Sequence, residues 1–167
     1  TTVWPPTGIA LVALSLFGYR LWPGIALGAF LVNSSAGAPL LAAGGMAAGN
    51  TLEALLGTYL LRRYAGFRGS LERIQQVFVF VVLAAGLSTM LSATIGVTSG
   101  YLGGVIPYAK AGKAWISWWL GDAMGALLLA PLLFAWRRRP RIHFSIPRLV
   151  EGGILILSLG AVALAAF

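Results

Sequence analysis

The sequence predicts an all-α protein, a bundle of helices that crosses a membrane several times. Of its 167 residues, 59% are hydrophobic and only 10% are charged, and the mean hydropathy is +0.87. Soluble domains carry about 25% charged residues, so this chain has too few polar groups to cover a soluble surface. Long apolar stretches also alternate with short clusters of arginine, which is typical of polytopic membrane proteins.

The chain begins with two short apolar stretches, residues 4–19 and 22–36. Each opens with a Trp-Pro element and continues with the tetrapeptide Gly-Ile-Ala-Leu. Proline suits the first turn of a helix, where no backbone donor is needed. We therefore predict two helices packed as a hairpin. Either helix is short for a complete span, so a re-entrant pair is the alternative.

Three longer stretches follow, each with the roughly 20 apolar residues that a spanning helix needs. They are residues 39–61, 75–99 and 114–136, and Pro131 inside the last is expected to kink it. A sixth helix begins near Leu149 and runs to the end of the sequence. Glycine pairs spaced four apart favour close helix packing in lipid. These pairs are Gly24 and Gly28, Gly45 and Gly49, Gly100 and Gly104, and Gly121 and Gly125.

The basic residues predict the orientation of the helices. Three clusters of arginine fall at alternate turns of the chain, which the positive-inside rule assigns to the cytoplasmic side. The clusters are Arg20; Arg62, Arg63, Arg68 and Arg73; and Arg137, Arg138, Arg139, Arg141 and Arg148. Lys110 and Lys113 then lie outside. The first helix enters from outside and the sixth leaves outward, so we expect one further helix at each end, eight in all.

Glu53 and Asp122 are the only ionisable side chains deep inside the predicted spans. A charged carboxylate at that depth costs about 2.5–3.5 kcal/mol on the translocon insertion scale. Each carboxyl is therefore expected to be protonated, hydrogen-bonded or beside a wet cavity. Asn50 lies one turn from Glu53, and the indole of Trp118 lies one turn from Asp122. Further candidate partners on another helix are Ser88, Ser92 and Thr94.

Two interpretations of these acids stay open. They could bridge helices as protonated donors, which is a purely structural role. If instead the two carboxyls meet, one holds the other neutral, and the pair responds to a proton or a ligand. Glu72 and Glu151 lie beside arginines at the predicted membrane surface, where we interpret them as surface ion pairs.

Several function classes are disfavoured by what the sequence lacks. It has no cysteine, and its one histidine, His143, lies in a basic loop, so we expect no metal site. The HExxH, GxSxG and Walker motifs are absent, and we expect neither catalysis nor a cofactor. The net charge of +8 comes from clusters between apolar stretches, which indicates membrane topology rather than binding to nucleic acid.

Four segments together resemble the MASE1 family, the membrane-associated sensory domains of bacterial signalling proteins. The match runs in order over most of residues 4–150, and the eight helices described for the family agree with the predicted count. The segments are WPPTGIALVALSLFGYRLWPGIALGAFLVN at 4–33, GNTLEALLGTYLLRR at 49–63, SATIGVTSGYL at 92–102 and WWLGDAMGALLLAPLL at 118–133.

The resemblance implies a sensory input role in a multi-pass protein of the bacterial inner membrane. Such domains precede cytoplasmic histidine kinase or diguanylate cyclase modules, often with PAS domains between them. Residues 1–167 would then be a fragment that lacks the first helix and the C-terminal part. The implied pathways are two-component or cyclic di-GMP signalling. The implied partners are an output module in cis, a small-molecule or proton stimulus and a second copy in a possible homodimer.

The polar positions that match the family pattern supply the candidate site. Glu53, Asn50 and Asp122 are predicted as its core, and Arg20 is assigned first to topology and second to an inner gate or docking contact. The predicted ligand-binding residues are Glu53, Asp122, Asn50, Trp118, Asn33, Thr94 and Arg20. The other matching polar positions are Trp4, Thr7 and Trp119.

Two other functions fit the same features. Short paired helices and acids near the membrane midplane also occur in transporters and substrate-binding membrane subunits. A scaffold whose basic loops recruit a partner or anionic lipid is the third hypothesis. Flux through vesicles that carry only this protein would favour a transporter. Loss of partner localisation after charge reversal at residues 137–139 would favour a scaffold.

Overall fold

A computed structural model describes residues 3–67 and 71–137. These residues form five helices, and the secondary structure described is entirely helical. The predicted all-α class is therefore confirmed, but the count of six visible helices out of eight is not supported. The predicted sixth helix from Leu149 lies outside the described residues, as do Arg68, His143 and Glu151. The helices are α1 (Pro5–Phe17), α2 (Trp22–Ser35), α3 (Leu40–Ala65), α4 (Ile74–Leu102) and α5 (Tyr108–Arg137).

The first two helices form close to where they were predicted, but they do not pack as a hairpin. Proline occupies the first turn of each, and a short 3₁₀ turn, Tyr19–Leu21, joins them. Gly18, at φ 96°, ends α1 in a conformation that favours glycine. Beyond this turn, α1 packs against α3 and α5, whereas α2 packs against α3.

Glycine explains why α1 prefers α5 to α2. A Cβ at Gly8 would meet the carbonyl oxygen of Gly125 on α5, so the two backbones cross in direct contact. By contrast, a Cβ at Gly24 or Gly28 on α2 would meet no atom of the described chain within 4 Å. Within the described residues the glycine pair of α2 makes no helix contact, so that part of the small-residue prediction is not confirmed.

Helices α3 and α4 run antiparallel along a stripe of small residues. A Cβ at Gly45 would meet the Ser99 side chain, one at Gly49 would lie 3.2 Å from the Ser92 carbonyl oxygen, and one at Gly57 would lie 3.1 Å from the Ser88 hydroxyl. Helix α3 ends at Gly66, whose φ of 55° is the left-handed conformation of a helix C-cap.

Helix α4 contains a π-helical segment, Phe80–Leu87, between two α-helical parts. Wider π turns shift the face that later residues present and often mark functional sites. Here the Gly86 carbonyl accepts a hydrogen bond from the Trp119 indole of α5 at 3.0 Å and another from Thr89 at 2.8 Å. In a regular α-helix this carbonyl would pair with a backbone N–H of the same helix. Here it accepts a hydrogen bond from a side chain of α5, and the π-helical segment thereby joins α4 to α5.

The two ends of the bundle carry different basic residues. The arginine end is the end at which α1 and α3 finish and α4 begins, with Arg20, Arg62, Arg63 and Arg73. The guanidinium of Arg62 donates to the carbonyls of Leu14 and Ser15 at 3.2 and 3.1 Å and lies over the Tyr19 ring. The lysine end is the opposite end, with Lys110 and Lys113. This alternation agrees with the predicted topology.

Among the described residues, two helices, α4 and α5, are long and apolar enough to cross a membrane. Helix α3 has 26 residues but is not among them, because its inner face carries glycine, threonine, asparagine and glutamate. Large apolar side chains point away from the bundle, with Leu41 93% and Ile74 90% exposed. An apolar exterior around a core of small and polar side chains is the pattern expected in lipid.

Candidate functional site

The candidate site begins where the start of α1 meets the middle of α5. The backbone N–H of Trp4 donates to the Gly121 carbonyl at 2.8 Å. A Cβ at Gly125, one turn further along α5, would collide with the Trp4 carbonyl oxygen. This close crossing sets the position of Thr7, whose hydroxyl donates to Asp122 Oδ1 at 3.0 Å.

Asp122 is 1% exposed. One of its carboxyl oxygens accepts the hydrogen bond from Thr7, and the other, Oδ2, has no hydrogen-bond partner among the described residues. Ser92, Glu53 and Trp118 lie within electrostatic range of this carboxyl. Buried carboxyl oxygens normally have partners, and a proton shared with the neighbouring Glu53 carboxyl, a water or a bound group would each supply one here.

Glu53 lies on the face of α3 that packs against α4, one helical turn from Gly49 and one from Gly57. It is 3% exposed, and neither carboxyl oxygen has a hydrogen-bond partner in the described part of the chain. The carboxyls of Glu53 and Asp122 are within interaction range of each other, and Ser92 lies within range of both. The structure thus brings together the two acids that the sequence singled out.

A cavity of about 290 Å³ lies beside Asp122, at the level of the lysine end. Helices α2, α3 and α5 and the residue that caps α1, Trp4, contribute to its wall, and exposed Ser117 lies at its rim. Below it, a void of about 10 Å³ lies among Thr7, Asn50 and Glu53, which is room for about one water at most. The residues lining the larger cavity are Trp4, Asn33, Asn50, Ala114, Ser117, Trp118, Gly121 and Asp122.

The hydrogen bonds of the wall residues hold the cavity open in one shape. Asn33 donates its amide to the Ala29 carbonyl at 2.8 Å, and Asn50 accepts from the Ser92 hydroxyl at 2.8 Å. The ring of Trp118 packs on Gly96, where a Cβ would lie 2.7 Å from the ring. Only glycine leaves room for the indole at this position.

Five of the seven predicted ligand-binding residues gather in this region. Asn33, Asn50, Trp118 and Asp122 line the cavity, and Glu53 lies beneath it. Thr94 does not join them, because it is exposed and its hydroxyl accepts from the Trp115 indole at 3.0 Å. Arg20 lies in the exposed turn at the arginine end, away from the cavity, as its topological assignment requires.

Four residues of this region were left out of the predicted ligand-binding set. Trp4 and Ser117 line the cavity, Thr7 holds Asp122, and Ser92 holds Asn50. Trp4 and Thr7 were among the polar positions that match the family pattern, and that match was the available signal. Their partner residues lie more than 110 positions away, so no local spacing could place them. Within the described residues, no group of three His, Cys, Asp or Glu side chains could hold a metal ion.

Comparison with known proteins gives one family and one curated relative. The family model MASE1 matches residues 1–167. A protein described as a probable diguanylate cyclase, DgcE of Escherichia coli (strain K12), is 28% identical over 161 residues. That alignment covers 94% of this chain but only 14% of the relative, so the chain corresponds to one part of a much longer protein. No solved structure matches.

Proposed function

The chain belongs to the MASE1 family, and from that premise we propose that it passes a stimulus to a cytoplasmic output module of the same polypeptide. As a MASE1 chain it is a membrane sensory domain of a signalling protein. The output module is a diguanylate cyclase or a histidine kinase, and the domain is a multi-pass unit of the bacterial inner membrane with eight helices. The similarity to a probable diguanylate cyclase supports the first kind of output.

The observation that carries this proposal is the cavity beside Asp122. It has a volume of about 290 Å³, near the lower limit for small-molecule sites. Asp122, a buried carboxyl on α5, is among the residues that line it. A purely structural bridge between the two acids would need no cavity beside it, whereas a receptor site does.

Helix α5 is the element that links the cavity to the output. Trp118, Gly121 and Asp122 belong both to α5 and to the cavity wall. The same helix continues without a break to Arg137 at the arginine end. A ligand that binds more tightly to one position of α5 shifts the population towards that position. The displacement then reaches the cytoplasmic side through one continuous helix.

Two substitutions in the intact protein test the proposal. Asp122→Asn and Glu53→Gln keep the size of each side chain but remove the carboxyl, so output activity should become unresponsive or fixed at one level. Output is measured as cyclic di-GMP formation or as autophosphorylation. Glu72→Gln is the matched control, because it removes a carboxyl from an exposed position at the arginine end. Wild-type regulation in both cavity variants would refute the site.

A transporter or substrate-binding subunit is the second candidate. The short helices α1 and α2, of 13 and 14 residues, and the paired buried acids favour it. Vesicles that contain only this protein distinguish the two functions. Binding of a ligand without flux supports sensing, and flux that Asp122→Asn abolishes supports transport.

A homodimer is part of the sensory proposal, since its output modules act in pairs.

A further inference from the structure

The two buried acids of the site leave three carboxyl oxygens without a donor. Both oxygens of Glu53 and Oδ2 of Asp122 lack a hydrogen-bond partner among the described residues. We propose that the two side chains form a proton-binding pair, in which Glu53 carries one proton and donates a hydrogen bond to the carboxylate of Asp122. This inference rests on the proposed function and deepens it, because it names the proton as a ligand of the same site.

The two carboxyls are close enough to share a proton. The side chain of Glu53 lies within hydrogen-bond range of the Asp122 carboxyl. The void between the helices leads to the same neighbourhood, since Glu53 and Thr7 both line it and Thr7 donates to Asp122. Two carboxylates cannot bond to each other, because both are acceptors. One proton converts this contact into a hydrogen bond and gives each acid a partner.

The surroundings assign the proton to Glu53 rather than to Asp122. A donor that bonds to a carboxyl stabilises its charged form. Asp122 receives the hydroxyl of Thr7 at 3.0 Å, and the side chain of Trp118 lies within hydrogen-bond range of it. Glu53 is 3% exposed, and no donor of the described chain bonds to either of its oxygens. The negative charge of the pair is therefore better placed on Asp122.

Within the described part of the chain, the polar groups that face the pair are uncharged. They come from α1, α3, α4 and α5 and are Thr7, Asn50, Ser88, Ser92 and Trp118. Ser92 lies within range of both acids, but its hydroxyl donates to the Asn50 amide oxygen at 2.8 Å. Two adjacent carboxylates without a cation repel each other strongly in a buried site. The void beside them measures about 10 Å³, which leaves no room for a hydrated ion, so a proton is the partner that fits.

The shared proton joins two helices that have few other contacts with each other. Glu53 belongs to α3 and Asp122 to α5, and these helices pack mainly through α1 and α4, which contact both. Loss of the proton would leave two like charges across the centre of the bundle. The population would then shift towards a packing in which α5 lies further from α3. Because α5 continues to Arg137, this shift reaches the arginine end.

Infrared spectroscopy of the intact protein in nanodiscs tests where the proton resides. A protonated carboxylic acid has a carbonyl stretch that is distinct from carboxylate and amide bands and shifts in D₂O. Wild-type protein at neutral pH should show such a band, Glu53→Gln should remove it, and Asp122→Asn should retain it. Glu72→Gln, which removes an exposed carboxyl, is the control and should also retain it.

Three results would overturn the inference. They are a wild-type spectrum without this band, a band that survives Glu53→Gln, and a band that Asp122→Asn also removes. The first needs no variant, so a misfolded variant cannot rescue a wrong assignment. The band should also disappear as the pH is raised, and wild-type output should change over the same range. Glutamine carries its hydrogens permanently, so output of Glu53→Gln should stay constant there, and identical pH profiles for the two proteins would exclude the proton as a stimulus.

Output activity separates this inference from the proposed function. If the band belongs to Glu53 while Asp122→Asn and Glu53→Gln are regulated like wild type, the proton site stands and the sensory role of the cavity falls. If both variants lose regulation and the wild-type protein shows no band, the sensory role stands and the proton site is wrong. The two claims therefore fail on different measurements.

Discussion

At the scale of single residues, two buried carboxyls with different partners explain most of the site. Asp122 has one oxygen held by Thr7, whereas both oxygens of Glu53 lack a hydrogen-bond partner within the described chain. A buried polar atom without a partner costs about 1–3 kcal/mol. Glu53 thus lowers the stability of the fold but places a titratable group beneath the cavity. Residues that serve function often reduce stability in this way.

Replacing Glu53 with glutamine should not destabilise the fold. The new amide can donate to the Asp122 carboxyl, which is within interaction range, so Glu53→Gln is expected to raise the free energy of unfolding by about 1 kcal/mol. The measurement is the thermal midpoint of the purified protein in detergent. A midpoint several degrees below that of wild type would contradict this account, since it would mean that the carboxyl itself holds α3 and α4 together.

Thr7 is expected to act on the site by positioning Asp122. Thr7→Val keeps the shape but removes the donor, so Asp122 Oδ1 loses its partner and stability should fall by about 1–3 kcal/mol. Thr7→Ser restores the hydroxyl and should restore the midpoint. The control is Thr98→Val at an exposed position of α4, which should change stability by less than about 0.5 kcal/mol. Equal midpoints for the Val and Ser variants at residue 7 would exclude a positioning role.

The sequence identified the residues of the site that are chemically unusual. It did not identify which residues are in contact with one another. Glu53 and Asp122 stand out because a carboxyl is costly in an apolar helix, and both indeed lie in the site. The Thr7–Asp122 contact joins residues 115 positions apart, and it depends on the crossing of α1 and α5 at Gly8 and Gly125. Helical periodicity describes one helix at a time, so it cannot supply such a contact.

At the scale of elements, the length of each apolar stretch predicted where the helices lie along the chain, but it did not predict which helices pack against each other. The predicted spans 75–99 and 114–136 became Ile74–Leu102 and Tyr108–Arg137, longer at both ends because helices continue into flanking polar residues. Sequence proximity suggested a hairpin of α1 and α2. In fact, glycine-to-backbone contacts pair α1 with α5, since the closest approach in lipid is available where both helices present small residues.

The crossing of α1 and α5 can be tested with one methyl group. In Gly125→Ala, the Cβ would overlap the Trp4 carbonyl oxygen, a backbone atom that cannot rotate away. We expect a loss of about 1–3 kcal/mol from overpacking and a shift of Thr7 away from Asp122. Unfolding midpoints and ligand binding report the two effects. Gly28→Ala is the matched control in open space and should be neutral or stabilising by up to about 1 kcal/mol; equal losses in both variants would argue against the crossing.

At the scale of the whole molecule, the described arginines and the cavity lie at opposite ends of the bundle. The described arginines at one end include Arg62, which binds the last carbonyls of α1, while the cavity opens near Lys113 at the other. If the arginine end is cytoplasmic, as the positive-inside rule predicts, the cavity faces outward. The domain then receives its stimulus on one side of the membrane and delivers the signal on the other.

Accessibility of introduced cysteines decides this orientation. The chain has no cysteine of its own, so Ser35→Cys at the lysine end and Gln75→Cys at the arginine end, both exposed, each add a single thiol to the domain. A membrane-impermeant maleimide should label the residue 35 variant in intact cells and the residue 75 variant only after permeabilisation. The positions are matched, because both lie in a terminal turn of a helix. The reverse labelling pattern would place the cavity on the cytoplasmic side, and its ligand would then have to be a cytosolic molecule.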